Sequence, residues 1–170
     1  ALRGLVTLQQ LLASDDDGYY IPALTISDKP RFPWRGLLLD VSRHFFSVDV
    51  LKKQLDLLAL VKMNVLHLHL TDDQGFRIES ETYPKLHEMG SDGQYYSQSE
   101  MRDIIKYADE RGIRIVPEFD LPGHSTSWYI GHPEFSSGTG ATFGAPYQID
   151  RKWGRNSPVM NPIKEEVYQF

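Results

Sequence analysis

Four groups of polar side chains in this sequence have residue types suited to catalysis or ligand binding. The first is Arg43, which follows an apolar run of strand length. A guanidinium presents a rigid fork of N–H donors that suits a carboxylate or two neighbouring hydroxyls of a sugar. The alternative is a surface arginine paired with Asp40 or Asp49, and the spacing alone leaves both interpretations open.

His67 and His69 form the second group. Alternate residues of a strand lie on one face of a sheet, so the two imidazoles share a face. Such a pair could ligate a metal ion with help from Asp72, Asp120 or His124. The alternative is a pair of buried rings that bond to backbone and carboxylate groups without a metal.

Asp72 and Asp73 form the third group. Adjacent side chains in a strand or tight turn point in different directions, so the two carboxylates are not expected to act as one acid–base pair. We expect one of them to face a site and the other to accept hydrogen bonds from the backbone amides of Gln74 and Gly75.

The fourth group places Glu118, Asp120 and His124 around a Pro-Gly turn. A turn of this kind brings Asp120 and His124 within reach of each other, so that the carboxylate would orient the ring. On spacing alone, a purely structural Asp–His hydrogen bond is an equal alternative.

Regular elements must position these groups. Runs of strand length cover residues 37–41, 65–70 and 113–118. Between the first two, a leucine stripe at Leu51, Leu55 and Leu58 predicts a helix over residues 48–62. The next helix begins at a capping box formed by Ser97 and Glu100. The pattern further predicts a strand over residues 19–26, a long loop over 71–96, and a helix that begins at Asn161-Pro162.

A β-α-β-α-β order indicates parallel strands joined by helical crossovers. Polar residues follow the carboxyl end of each strand, where (β/α)8 barrels build their active sites. No Gly-rich phosphate loop follows a strand, which disfavours a nucleotide-binding sheet. We therefore predict an α/β fold, a partial (β/α)8 barrel with its first three βα units over residues 30–170. Residues 1–29 are interpreted as the end of a preceding small α+β domain.

Composition excludes several classes of protein. A formal net charge of -5 gives no electrostatic reason to expect nucleic acid or an anionic membrane as a partner. No apolar run approaches the roughly 18 residues that span a bilayer. The chain has no cysteine, so disulfides and thiolate metal sites are excluded. Because small secreted animal domains usually rely on disulfides, a bacterial origin is favoured, with a periplasmic or secreted location.

Three long stretches carry a family resemblance. They are residues 35–44 (RGLLLDVSRH), 64–77 (NVLHLHLTDDQGFR) and 117–124 (PEFDLPGH). In their order and separation they resemble the family 20 glycoside hydrolases, the β-N-acetylhexosaminidases. The resemblance implies a (β/α)8 barrel that removes terminal N-acetylglucosamine or N-acetylgalactosamine from β-linked glycans such as chitooligosaccharides. It implies no metal and no other cofactor.

The same resemblance implies roles for individual residues. The family uses substrate-assisted catalysis with retention, in which the acetamido oxygen of the substrate attacks the anomeric carbon. Arg43 would grip the ring hydroxyls of the terminal sugar. Asp72 and His124 would be two members of a carboxylate–imidazole–carboxylate relay that ends at the catalytic glutamate, and Asp120 would support the site beside the histidine.

The sequence departs from the family at the catalytic pair. The Gly-Gly-Asp-Glu motif is absent, and the one Asp-Glu dipeptide, Asp109-Glu110, lies in a predicted helix. A barrel typically takes about 250 residues. We therefore expect a fragment that is inactive alone and packs with the missing half of the barrel or with its own copy. Two alternatives remain, a metal-dependent hydrolase using His67, His69 and Asp120, and a non-catalytic carbohydrate-binding or interaction module on a degenerate half barrel.

Overall fold

A computed structural model of the chain describes residues 2–138, 146–149, 151 and 158–170. Its first part consists of helix α1 (Leu2–Gln10) and a hairpin of strands β1 (Ala13–Asp15) and β2 (Gly18–Tyr20). The predicted strand over residues 19–26 is wrong beyond Tyr20, because residues 21–30 have no regular structure. Pro22 has no N–H to donate to a ladder, which opposes a longer strand.

Three parallel strands form the centre of the fold. They are β3 (Gly36–Asp40), β4 (Val65–Asp72) and β6 (Arg114–Phe119), with β4 between the other two. A short strand, β5 (Gly75–Phe76), pairs antiparallel with the end of β4. The register places Asp40, His69 and Glu118 side by side across the three strands. The carboxyl ends of these strands therefore meet at one edge of the sheet.

Two crossover helices connect the parallel strands, as the pattern predicted. They are α2 (Val48–Leu60) and α4 (Gln98–Asp109). The leucine stripe of α2 is buried, and it joins a core that includes Leu66, Leu68 and Leu70 of β4 and Ile104 of α4. Burying one leucine side chain contributes about 1.5–3 kcal/mol. Because side chains alternate along a strand, these leucines leave His67 and His69 on the opposite face.

Helix α4 begins at the predicted capping box. The Ser97 hydroxyl accepts a hydrogen bond from the Glu100 amide, and the Glu100 carboxylate accepts one from the Ser97 amide. Two backbone donors that would otherwise lack partners at the helix start are satisfied in this way.

The segment predicted as a loop over residues 71–96 contains regular structure. Strand β4 continues to Asp72, β5 follows at once, and helix α3 (Lys85–Gly90) comes later. The buried Arg77 guanidinium organises this segment by donating to backbone carbonyls of Ser42, Ser91 and Gln94. Periodicity did not reveal these elements because they are short and depend on contacts with distant residues.

The last part of the described chain contains short helical elements. They are α5 (Thr126–Gly131), a 3-10 helix (Pro133–Phe135) and α6 (Glu166–Gln169). The helix predicted to begin at Asn161-Pro162 starts only at Glu166. The Asn161 carboxamide oxygen instead accepts the Ile163 amide, which forms a local turn. Among the described residues, no helix has the length and apolar character needed to cross a bilayer.

Candidate active site

Asp40 organises the turn that follows β3. Its Oδ1 accepts hydrogen bonds from the amides of Ser42 and Arg43, each at 3.0 Å. Its Oδ2 lies 2.6 Å from Arg43 Nη1. The Ser42 hydroxyl donates to the Gly75 carbonyl at 2.7 Å and so ties this turn to β5. Both the backbone and the side chain of Arg43 are therefore held by the polar end of an otherwise apolar strand.

Asp72, at the end of β4, is fully buried and lies at the centre of the cluster. Its Oδ2 lies 2.6 Å from Arg43 Nη2 and 2.9 Å from His69 Nε2. Its Oδ1 accepts the Asp73 amide at 2.6 Å and lies 3.2 Å from His124 Nδ1. Burial opposes ionisation, but the hydrogen bonds from His69 and Asp73 and the charges of Arg43 and His124 lower the pKa of Asp72. Asp72 is therefore an anion at neutral pH.

His69 lies between two carboxylates. Its Nε2 faces Asp72, and its Nδ1 lies 3.1 Å from Glu118 Oε2. The hydrogen bond to Asp72 outweighs the effect of burial and, with Glu118 and Asp40 adding to it, raises the pKa of His69 to about 8. His67 Nε2 lies 2.8 Å from the same Glu118 oxygen. The two histidines thus share a face, as the spacing predicted, and they share a carboxylate partner.

His124 has a different carboxylate partner from the one expected. The Pro-Gly turn predicted a contact with Asp120, but the ring nitrogen Nδ1 faces Asp72 and lies 3.8 Å from Asp73 Oδ2. The amide of Asp120 donates to the Thr71 hydroxyl at 3.0 Å. A bond of this kind holds Asp120 to the end of β4, while His124, at a φ of 54°, turns back to the carboxylate of Asp72.

The two adjacent aspartates have different hydrogen-bond partners, as the alternation of side chains predicted. Asp73 Oδ1 accepts hydrogen bonds from the Thr126 amide at 3.0 Å and the Thr126 hydroxyl at 2.7 Å. The sequence predicted bonds to the amides of Gln74 and Gly75 and gave no sign of these bonds to α5. The partner is 53 residues away along the chain, so local spacing could not identify it.

The chain is similar to a known family of proteins. The model of glycosyl hydrolase family 20, catalytic domain, matches residues 32–170. The chain belongs to this family. Its parallel sheet and crossover helices are accordingly part of a (β/α)8 barrel, as predicted.

The family 20 chain is similar in sequence and structure to several longer proteins. It is 47% identical to the human beta-hexosaminidase subunit beta over 173 residues, which cover 100% of the chain and 30% of that subunit. It is 40% identical to a beta-hexosaminidase of Akkermansia muciniphila, covering 99% of the chain and 36% of that protein. The crystallographic structure of Flavobacterium johnsoniae chitobiase superimposes with a TM-score of 0.91 and 53% identity, over 98% of the chain and 25% of that protein. The chain thus spans about a quarter to a third of these relatives.

Three residues of the candidate site were not assigned a role from sequence. Asp40 appeared only as a surface partner of Arg43, Glu118 only as a neighbour in its motif, and Arg77 had no role. A charged residue inside an apolar run is the signal that could have found Asp40, because burying a charge requires partners. No local signal identified Arg77. Glu118 needed the strand register, which sets it beside His69.

Within the part of the chain that the structure describes, two triplets of donor atoms could hold a cation. They are His69, Asp72 and Asp120, and Asp72, Asp73 and His124, each with its atoms within 4.8 Å of one another. His67 belongs to neither, so the predicted His-x-His pair does not converge as two ligands. Both ring nitrogens of His69 lie within 3.1 Å of a carboxylate oxygen, so a metal ion bound there would have to displace one of these contacts.

Proposed function

We propose that the protein containing this chain is an exo-β-N-acetylhexosaminidase. It would remove terminal N-acetylglucosamine or N-acetylgalactosamine from β-linked glycans, including chitooligosaccharides, with retention of configuration. The observation that carries the proposal is the buried Asp72 anion, contacted by Arg43, His69 and His124 at the carboxyl edge of a family 20 barrel sheet. A Streptomyces plicatus beta-hexosaminidase structure, 34% identical with a TM-score of 0.85, contains the product GlcNAc, which supports this sugar class.

Arg43 would bind the terminal sugar. Its side chain is 47% exposed, although two of its nitrogens contact Asp40 and Asp72. A guanidinium has five N–H donors, so donors remain for the hydroxyls of a substrate. The two aspartates would fix the plane of the guanidinium before the sugar arrives, which reduces the entropy lost on binding.

Asp72 and His124 would form the start of a proton relay. Asp72 Oδ1 accepts from His124 Nδ1, which would leave Nε2 of this ring for a second carboxylate. In the described part of the chain, Nε2 has no hydrogen-bond partner. A catalytic glutamate from the rest of the barrel would occupy that position, and Asp120 would support the site beside the histidine. An anion at one end of such a chain stabilises positive charge on the ring, as in other carboxylate–histidine pairs.

The reaction would use the acetamido group of the substrate as its nucleophile. The carbonyl oxygen of that group attacks the anomeric carbon while the glutamate protonates the leaving oxygen, and water then opens the cyclic intermediate. Two displacements at the same carbon give retention. This chain would contribute the sugar-binding arginine and the relay, and no cofactor is required.

The 170-residue chain by itself would not hydrolyse a glycoside. Its one Asp-Glu dipeptide, Asp109-Glu110, lies at the end of α4, just before β6 begins and therefore at the opposite edge of the sheet from Asp72. The acid would come from the missing half of the barrel, with which this chain would pack. We also propose that residues 1–29 end a separate preceding domain.

Assays on the isolated chain and on the full-length protein test the proposal. We expect the full-length protein to release the chromophore from a p-nitrophenyl β-N-acetylglucosaminide, and the 170-residue chain to show only background. Proton NMR of the first sugar product should show the β anomer before mutarotation. Sugar binding without turnover by the full-length protein would contradict the proposal and support a carbohydrate-binding module. Loss of activity with a chelator, restored by metal, would support the hydrolase that uses a metal.

A further inference from the structure

His69 lies beside the proposed relay but has no role in it. The ring is 7% exposed and lies between Asp72, at the end of its own strand β4, and Glu118 of β6. Nε2 forms a hydrogen bond with Asp72 Oδ2 at 2.9 Å, and Nδ1 lies 3.1 Å from Glu118 Oε2. A histidine with an anionic oxygen at each nitrogen is an arrangement that needs a physical explanation.

The contacts favour protons on both nitrogens, because Nε2 is hydrogen-bonded to Asp72 and Nδ1 lies at ion-pair distance from Glu118. An ionised carboxylate is an acceptor only, whereas a neutral imidazole carries one N–H and one lone pair. A neutral His69 would therefore set its lone pair near one of the two carboxylates. The imidazolium carries an N–H at each nitrogen and a positive charge, which removes this repulsion even where the N–H is not aligned for a hydrogen bond.

The carboxylate of Glu118 also favours a positive charge on His69. Its Oε2 is shielded from solvent, and within the described residues no donor is aligned for a hydrogen bond with it. It does lie at ion-pair distance from His67 and His69. A shielded anionic oxygen without good hydrogen bonds needs a nearby positive charge, which His69 can supply.

The charged groups around His69 favour the cation. They are Asp40 from β3, Arg43 from the turn after β3, His67 and Asp72 on β4 itself, and Glu118 and Asp120 from β6 and the segment after it. Four of these groups are carboxylates, and Arg43 is the one permanent cation among them. The field at the ring is therefore negative, and a charged imidazole is stabilised.

We propose that His69 is a positioning residue, a doubly protonated ring that bridges Asp72 and Glu118 and holds Asp72 with its Oδ1 directed at His124. With Oδ2 fixed by His69 and Arg43, the carboxylate cannot rotate away from the histidine of the relay. Glu118 acts indirectly, because its negative charge keeps the His69 ring doubly protonated. The catalytic consequence rests on the proposed function, but the protonated bridge itself does not.

The first experiment measures the bridge without reference to activity. The full-length protein, labelled with 13C at the histidine ring, is titrated by NMR, and the His69 resonance is assigned with the His69→Asn variant. We expect His69 to titrate above the ordinary histidine pKa, and its midpoint to fall in Glu118→Gln, a variant of nearly the same shape without the charge. A wild-type midpoint at or below the ordinary value would overturn the proposal, whether or not the protein is active.

The second experiment measures the consequence for the reaction. A positioning role predicts that His69→Asn lowers kcat about 10–100-fold with a smaller change in KM, since displacements of about 1 Å can cost that much. Glu118→Gln should move the alkaline limb of the pH–rate profile to lower pH. His87→Asn is the matched control, because His87 is a buried histidine of α3 that accepts the Ser80 amide and lies outside this cluster, and it should stay close to the wild-type rate. An unmoved alkaline limb together with unimpaired His69→Asn turnover would overturn the positioning role.

The outcomes separate the two proposals. A wild-type protein that is folded but releases no hexosamine contradicts the proposed function, while the NMR titration still decides whether His69 is a charged bridge. An active protein with an unprotonated His69 contradicts this inference alone. If His69→Asn fails to fold, the wild-type NMR titration and the pH–rate profile of Glu118→Gln still test the inference.

Discussion

Arg43 and Asp72 meet at the carboxyl edge of the sheet, with Nη2 of the arginine 2.6 Å from Oδ2 of the aspartate. One partner is half-exposed and the other is fully buried. An ion pair of this kind differs from an exposed surface pair, because removing the charge of Arg43 takes a cationic partner from the buried Asp72 anion. Arg43 contacts Asp40, as the surface interpretation expected, and also Asp72. Its role in sugar binding stays a prediction.

Replacing Arg43 tests its role in the full-length protein. We expect Arg43→Lys to be nearly as damaging as Arg43→Ala, because a lysine point charge cannot make a two-pronged contact. Two charge-assisted hydrogen bonds at about 1.5–3 kcal/mol each correspond to a fall in kcat/KM of about 10²–10⁴-fold. Steady-state kinetics, with circular dichroism to confirm folding, provide the measurement.

Arg111→Lys is the matched control for that change. Arg111 pairs with Asp56 at 2.6 Å on the surface between α2 and α4, with the aspartate side chain half-exposed. The same substitution there should change activity little, since exposed pairs contribute roughly 0–1 kcal/mol. A fully active Arg43→Lys enzyme would remove Arg43 from the site.

Asp72→Asn should reduce activity more strongly than Asp73→Asn. A carboxamide at position 72 loses the charge that Arg43 and His69 face and adds N–H donors where donors already point. Breaking a buried pair costs about 3–5 kcal/mol, so we also expect a lower Tm. Asp73→Asn retains an oxygen that can accept from Thr126, so its effects should be smaller. Equal kcat values for the two variants would show that Asp72 has no special role.

The raised pKa of His69 predicts how stability depends on pH. A folded-state pKa of about 8 against an ordinary 6.5 means that the stabilisation is complete below 6.5 and is lost as pH rises to about 8. The lowered pKa of Asp72 has the opposite sign, so its contribution is complete above the ordinary 3.8 and is lost at lower pH. We therefore expect Tm to decline between pH 6.5 and 8 in the wild type and less so in His69→Asn. Parallel Tm curves for the two proteins would argue against a titrating His69 bridge.

Gly75→Ala should destabilise the protein. A Cβ at Gly75 would lie 2.2 Å from Arg77 Cζ, and the guanidinium cannot retreat without losing hydrogen bonds to the carbonyls that surround it. Overpacking of this kind costs typically about 1–3 kcal/mol. Gly4→Ala in α1 is the control, because nothing lies within 4 Å of that position. Alanine in a helix is favoured over glycine by about 0.5–1 kcal/mol, so urea denaturation should show opposite signs for the two variants.

The sequence by itself determined the parallel sheet, its two crossover helices and the end of the sheet where polar residues gather. These features follow from local rules, such as the apolar stripe of Leu51, Leu55 and Leu58 and the capping box at Ser97. The family motifs cover the polar residues that follow the strands. Short-range periodicity is enough for them because each element is stabilised by one continuous apolar face.

Only the tertiary structure determines which charged side chains are in contact. The spacing predicted a contact between His124 and Asp120. The ring instead faces Asp72, which is 52 residues away along the chain. One partner of Asp73 is on α5 and one partner of His69 is on β6, and strand register and the packing of distant loops set both contacts. Contact energies between charges depend on separations of a few ångströms, and such separations between distant parts of a chain are set by the folded backbone rather than by local sequence.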